Sequence, residues 1–310
     1  MRVGLDLGGT KCLGVSLDPE DQVIGSIRRR TPDGPAAVVH TLAEVAEELG
    51  PYRSLGIGVP GLVSRSGTLH AAPNLSGIEL LEVRRLLEER LGHEVAVDND
   101  ATCATLAEWR SGAGVGTSDL LMVTLGTGIG GGAVLGGRLQ HGRNGFAGEY
   151  GHMVVNPNGP RCVCGRRGCW ERYASGAGLA WLAHQAAAAG RARFVVELAG
   201  GLVAEVRGEH VQRAARQGDP EALAIVDSFG RWVALGLANL SNALDPELIV
   251  VGGGLIAGAD LYIEPIRRWF AELLYSPTAR PHPRIEPAHW DERAGAVGAA
   301  LLGGELVDRR

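Results

Sequence analysis

Lysine is nearly absent from this chain. Of its 30 basic residues only Lys11 is a lysine, and the other 29 are arginines. Acidic residues number 35, so the formal net charge is -5, which excludes a chain that lives by gripping a phosphate backbone. No secretory signal is visible either, as Met1-Arg2 runs straight into the alternating Val3-Gly4-Leu5-Asp6. One uncharged stretch, Leu120 to Gly137, reaches membrane length at 18 residues, but seven are glycine and two are threonine. Such a composition does not hold a helix, so the stretch reads as two strands around a glycine-rich turn and the protein as soluble. Cysteines number five, an odd count with three packed between positions 162 and 169. That suits a reducing, cytoplasmic compartment and a metal better than a disulfide framework.

What is abundant is glycine, 47 of 310 residues, about twice the usual share of roughly 7%. Hydrophobic residues at 45% and charged residues at 21% are an ordinary globular balance, which excludes disorder and fibrous repeats. At roughly 150 residues per domain, the length implies two domains.

The first 30 residues read as strand, tight turn, strand and a short third strand around Val23-Ile24. A helix opens at Pro35, a buried strand runs from Leu55 to Val59, and a second amphipathic helix carries Leu80, Leu81, Val83, Leu86, Leu87 and Leu91. A short strand, Val95 to Val97, precedes a helix from Ala101 to Arg110. Strands alternating with helices predict a layered α/β fold. After the link Ser111 to Gly116 the opening grammar repeats: strand Leu121 to Leu125, a glycine-threonine turn, and a returning strand Ala133 to Leu135. This internal similarity suggests two like lobes facing one another. The predicted division is a small N-terminal lobe of residues 1–115, to which a helix of residues 295–310 returns, and a larger lobe of residues 116–294.

Three glycine-rich turns each follow a strand: Gly8-Gly9-Thr10, Gly126 to Gly132, and Gly252 to Gly254. Glycines let backbone N–H groups approach a phosphate and threonine hydroxyls add donors, although a glycine turn can equally be a plain hairpin. Asp6, on the first strand, can hold Mg²⁺ through water. Lys11 lies in the first turn, where it either touches phosphate or merely borders it. Gly126, Gly128 and Gly131 match G-x-G-x-x-G, but the strand that follows replaces the helix the dinucleotide fingerprint needs. A Walker-type loop does not occur.

Asp98-Asn99-Asp100 lies between a strand and a helix start. Asn99 or Asp100 can be an N-cap; Asp100 can also accept a proton from an attacking hydroxyl while Asn99 orients a substrate hydroxyl. Both roles can hold together. His152, Cys162, Cys164 and Cys169 give one imidazole and three thiolates, a closed structural Zn²⁺ set with no open position for water. Cys12 and Cys103 stand apart on apolar segments as core residues. Glu149 and Glu171 flank the cluster, where they either face a polyhydroxylated ligand or sit solvated at the surface.

Together these residues resemble a family. Asp6-Leu7-Gly8-Gly9-Thr10-Lys11, Gly58-Val59-Pro60-Gly61, Ala72-Pro73-Asn74-Leu75, Asp98-Asn99-Asp100, Leu125 to Gly132, Gly148-Glu149-Tyr150-Gly151-His152, the Cys162 to Glu171 run and Val251-Gly252-Gly253-Gly254 are similar to the ROK family of bacterial sugar kinases. The pattern is most similar to the glucokinases of that family. The resemblance implies an actin-like (ribonuclease H-like) two-lobed ATPase fold with sugar and ATP meeting in the cleft. It implies Asp100 as general base on the 6-hydroxyl, with Asn74, Asn99, Glu149, His152 and Glu171 on the sugar. Asp6, Gly8, Gly9, Thr10, Lys11, Thr127 and Gly128 would serve the phosphates and their Mg²⁺, and Gly253 and Gly254 the adenosine. His152 would turn one ring nitrogen to zinc and the other toward sugar. After Leu75 comes Ser76-Gly77-Ile78, where many glucokinases of the family place a tryptophan. The implied activity is transfer of the ATP γ-phosphoryl group to a hexose, D-glucose first, with N-acetylglucosamine or N-acetylmannosamine as alternatives. A sugar sensor without turnover and an actin-like assembly protein are the rival classes. Repressors of the family carry a DNA-binding extension ahead of the first glycine turn, and here five residues precede Asp6, so neither nucleic acid nor membrane is an expected partner. A homo-oligomer, dimer or tetramer, is expected from the commonness of closed assemblies.

Overall fold

The structure is a computed structural model that describes residues 1–72, 75 and 77–308, with the side chains of 256 and 257 left out. Its first sheet joins β1 (Arg2–Leu7), β2 (Lys11–Leu17), β3 (Val23–Arg30), β4 (Ser54–Val59) and, four segments later, β8 (Ala96–Asn99), in the order β3-β2-β1-β4-β8. β1 to β3 form an antiparallel meander, while β4 lies parallel to β1 and β8 parallel to β4. β5 (Leu62–Val63), β6 (Leu69–Ala71) and β7 (Glu79–Leu81) make a small antiparallel sheet. The second large sheet has the order β11-β10-β9-β12-β13, built from β9 (Leu120–Leu125), β10 (Ile129–Leu135), β11 (Arg138–Leu139), β12 (Leu248–Gly252) and β13 (Arg284–Pro287).

Three local readings change. The third strand is not short: β3 pairs with β2 along its whole length, Lys11 opposite Arg30 and Leu17 opposite Val23. Its alternating exposure and run of arginines fit an edge strand, where charge discourages further pairing. Leu80 and Leu81 belong to β7, and the helix begins only at Val83. Leu81 pairs with Leu69, and Leu80 adopts a positive φ of 53° that no helix tolerates. The apolar run therefore straddles a strand and a helix. Gly130, Gly131 and Gly132 are strand residues of β10, so the second glycine turn is confined to Gly126-Thr127-Gly128.

The chain divides into two compact units, Met1–Leu121 with Gly131–Gly148 and His289–Arg310, and Met122–Gly130 with Glu149–Ala288. Residues 131–148 thus group with the first unit and not with the second half of the chain. There Arg65 donates to the carbonyls of Gly142 and Arg143, and His141 bonds Asp98.

In the first unit the helix Ala294–Asp308 lies on the central strands. A Cβ on Gly56 would collide with the carbonyl of Ala299, and one on Gly4 with that of Ala296. On the other side of the same helix, Gly298 meets the backbone of Cys103 in the helix Asp100–Ser111. Alanine and glycine on this helix thus permit backbone-to-backbone approach. The second unit is centred on Pro220–Leu244, a helix long and apolar enough to cross a membrane, of which 56% of the apolar window is buried. Phe229, Val233 and Leu237 on it are fully buried. Trp170 packs on its Gly236 and donates to the Trp232 carbonyl at 2.7 Å, while Tyr173 stacks on Trp232 at 4.1 Å.

Gly56→Ala is expected to displace the C-terminal helix and lower the melting temperature by about 5 °C or more. A thermal melt within a degree or so of the parent would refute this close approach.

Candidate active site

β1, β4 and β8 run parallel, and their C-terminal ends carry Asp6, Val59 and Asn99. Asp100 opens the helix that follows β8. Asn99 is the N-cap: its Oδ1 accepts the Thr102 N–H at 3.0 Å, and its Nδ2 donates to the Gly61 carbonyl at 3.1 Å. Asp100 Oδ1 accepts the Ala101 N–H at 2.8 Å. The cap and the candidate base are therefore separate residues. Burial pushes the Asp100 carboxyl up, against hydrogen bonds from Ala101 and Asn99 that pull it down. Asp6 is pushed up to about 7, first by burial and then by the charge of Asp100, with Lys11 opposing. The final helix adds to that enclosure, since a Cβ on Gly295 would lie 2.7 Å from Asp6 Oδ2.

Two further groups serve this unit and carry no sequence signal beyond their residue type. His141 Nε2 meets Asp98 Oδ2 at 2.7 Å, while Asp98 Oδ1 accepts the Asn99 N–H at 2.8 Å. The hydrogen bond to Asp98 pushes the His141 imidazole up, with desolvation opposing. Asp98 so ties the loop after β11 to the turn that presents Asp100. Glu108 is fully buried, and its carboxylate accepts the N–H groups of Ala113, His289 and Trp290 at 2.9, 3.0 and 2.6 Å. It fixes the turn that enters the C-terminal helix.

The first glycine turn is closed by the Gly8 N–H donating to the Lys11 carbonyl at 2.8 Å, and the Thr31 hydroxyl donates to Gly8 at 2.6 Å. Gly9 and Thr10 are exposed. Lys11 Nζ is paired with Glu292.

In the second unit the other two glycine turns lie together. Gly253, at φ 88°, sits where a Cβ would be 2.5 Å from the Leu125 carbonyl, the residue before Gly126. Gly126 N–H bonds the Gly128 carbonyl at 3.0 Å, leaving Thr127 exposed at the tip, and around Gly254 there is open space. Glu171 Oε2 accepts the Ile129 N–H at 3.1 Å, just past this turn.

The predicted metal ligands are also brought together here. One donor atom each from His152, Cys162, Cys164 and Cys169 lies within 4.8 Å of all the others. Cys162 Sγ is 3.7 Å from His152 Nδ1, and Cys164 Sγ is 3.5 Å from Cys169 Sγ. A tetrahedral zinc with Zn–S near 2.3 Å needs ligand separations of about 3.8 Å, so the donor set fits. The other ring nitrogen of His152 points to Glu149, Nε2 to Oε2 being 3.9 Å. Glu171 Oε1 is 3.8 Å from Cys162 Sγ. Glu149, His152 and Glu171 thus cluster around the candidate metal position. Cys12 and Cys103 are buried, as expected of core thiols. Asn74 lies outside the described residues.

A family profile described as the ROK family matches residues 2–305. A glucokinase of Streptomyces coelicolor is 37% identical over 311 residues, covering 98% of each chain. An N-acetyl-D-glucosamine kinase of Erwinia tasmaniensis is 35% identical over 319 residues, covering 97% of this chain and 99% of its own. Among solved structures, a ROK family glucokinase from Streptomyces griseus in complex with glucose and AMPPNP superposes with a TM-score of 0.88 at 38% identity. It covers 98% of this chain and 99% of that one.

A carboxyl whose folded-state pKa is raised to about 7 stabilises the fold fully below its unfolded pKa, near 4, and loses that contribution as pH rises through about 7. Asp6→Asn is therefore expected to raise the melting temperature in Mg²⁺-free buffer. The gain should grow between about pH 4 and pH 7 and level off above. A gain independent of pH would remove the buried-carboxylate assignment.

Proposed function

The chain belongs to the ROK family, and we propose that it is an ATP-dependent hexokinase whose first substrate is D-glucose, giving glucose 6-phosphate. The observation that carries this reading is the half-buried Asp100 carboxylate at a helix start, raised in pKa by desolvation and set beside a second raised carboxylate, Asp6. A base must hold its proton well enough to take it from an alcohol and must be ionised beforehand. Burial supplies the first property, and the Ala101 N–H supplies the second.

In this reaction Asp100 accepts the proton of the sugar 6-hydroxyl as its oxygen attacks the γ-phosphorus, and ADP leaves with the bridging oxygen. Asn99 keeps one carbonyl lone pair beyond its cap bond, enough to accept from a neighbouring hydroxyl. Glu149, His152 and Glu171 offer acceptors and an imidazole to further hydroxyls. Gly8, Gly9, Thr10 and Lys11, with Thr127 and Gly128, serve the phosphates, and Gly253 and Gly254 lie against the adenosine, with open space around Gly254.

Asp6 would hold Mg²⁺ through water, and a buried carboxylate raised by a neighbouring anion is a donor that a cation would return to its ionised form. When bound, the ion neutralises phosphate charge. His152, Cys162, Cys164 and Cys169 would hold zinc, which with four protein ligands orders the loop and leaves the chemistry to Asp100.

An amino-sugar kinase is the second reading, supported by the N-acetyl-D-glucosamine kinase relative at nearly the same identity. A coupled ADP-release assay over glucose, mannose, N-acetylglucosamine and N-acetylmannosamine separates the two, and ATP turnover on none of them would refute the kinase reading. Asp100→Asn is expected to lower kcat by at least about 100-fold with sugar affinity nearly intact. A variant that keeps half of the parent turnover would remove Asp100 as base. Cys164→Ser should lose bound zinc and raise the KM for sugar together. Stoichiometric zinc with an unchanged KM would uncouple the metal loop from the sugar.

A further inference from the structure

Lys11 and Arg28 share one carboxylate. One oxygen of Glu292 is paired with Lys11 Nζ and the other with the Arg28 guanidinium. Strand register puts Lys11 opposite Arg30 and Leu13 opposite Arg28, so Lys11, Arg28 and Arg30 project from one face of the β2/β3 pair, at the end where the first glycine turn lies. Glu292 comes from the turn before the C-terminal helix, the turn whose N–H groups at His289 and Trp290 Glu108 anchors. A rigid segment therefore delivers the carboxylate. Glu292 and Lys11 both remain well exposed, at 48% and 38%, so solvent and solutes reach the pair.

Two oxygens on two cations is also how a terminal phosphate would be held, and a phosphate brings more charge to the same contacts. An exposed ion pair is weak enough to be exchanged for it. A lysine suits such an exchange. Its ammonium is a single point charge on a flexible stem, whereas a guanidinium fork holds a carboxylate bidentately. In a chain with 29 arginines, this position alone carries lysine.

We propose that Lys11 and Arg28 form a binding pair for the terminal phosphates of the nucleotide, and that Glu292 occupies this pair as an internal competitor until the nucleotide displaces it. The inference rests on ATP being the phosphoryl donor. It adds Arg28 and Glu292 to the residues that set nucleotide affinity, and it gives Lys11 two alternating partners.

Lys11 is the only side-chain amine in the chain, so amine-reactive labelling, resolved by mass spectrometry on the peptide that contains it, reads its state directly. Mg-ATP is expected to slow labelling of Lys11 in the parent protein. Glu292→Gln should label about three- to fivefold faster without nucleotide and lower the KM for ATP by a similar factor, with the KM for sugar unchanged. Arg28→Gln should raise the KM for ATP by a comparable factor. Labelling of Lys11 that Mg-ATP leaves unaltered, or a Glu292→Gln enzyme with the parent KM for ATP, overturns the proposal. Turnover is followed in the same preparations. Intact ATP-dependent turnover with an unprotected Lys11 defeats this inference alone, whereas a parent protein that transfers nothing from ATP to any sugar defeats the functional reading.

Discussion

The first unit is organised by how closely its last helix approaches its central strands. Ala294–Asp308 reaches backbone contact with β1 and β4 at Gly4 and Gly56, and with the helix Asp100–Ser111 at Gly298. No side chain larger than hydrogen fits at these crossings. The approach brings Gly295 against the Asp6 carboxylate and places the turn of residues 289–293 over the first glycine hairpin. Glu108 is the buried counterpart of this packing. Its carboxylate gathers the N–H groups of His289 and Trp290, which the crowded helix entry would otherwise leave without partners. The glycine excess is thus partly a consequence of this helix and only partly of the three glycine turns.

Enclosure by that helix sets the electrostatics. Asp6 and Asp100 are both half-buried and close enough to interact, and desolvation raises both carboxyls. Asp98, two residues before Asp100, pairs with His141 and accepts the Asn99 N–H. The three aspartates at one sheet edge are therefore not equivalent. One is paired with an imidazole, one is held at a helix start, and one is raised to about 7. A group in the last condition favours a cation or a proton, the property that the proposed Mg²⁺ position at Asp6 would need.

Sequence order made some of this legible and hid the rest. Cys162, Cys164 and Cys169 lie within eight positions, so the turns that gather them are local and their spacing alone announces a metal set. Gly8-Gly9-Thr10 and Asp98-Asn99-Asp100 are legible as strand-end turns for the same reason, each being three consecutive residues. The groups without a sequence signal meet partners far along the chain: His141 reaches Asp98 across 43 residues, Glu108 reaches His289 across 181, and Glu292 reaches Lys11 across 281. Nothing in a single sequence sets such a pair apart from any other histidine or glutamate. The misplaced Leu80 and Leu81 fail differently. Two short elements abut there, and a continuous apolar run has no period by which to divide them.

The second unit meets the same demand by different means. Its polar cluster of Glu149, His152 and Glu171 is tied to the sheet only where Glu171 accepts the Ile129 N–H; the chain between them is rich in glycine, with positive φ at Gly165 and Gly168. Such a segment has much conformational freedom to lose, and few apolar side chains to offset the loss. The converging donors of His152, Cys162, Cys164 and Cys169 would compensate by closing the loop on the proposed zinc. His152 joins this clasp through Nδ1 and reaches Glu149 through Nε2, so the order of the loop and the orientation of its polar groups are one property. Packing energy fixes the carboxylates of the first unit, and the proposed zinc would fix the polar cluster of the second. The two kinds of support should therefore fail separately, the first under core substitution and the second under chelation.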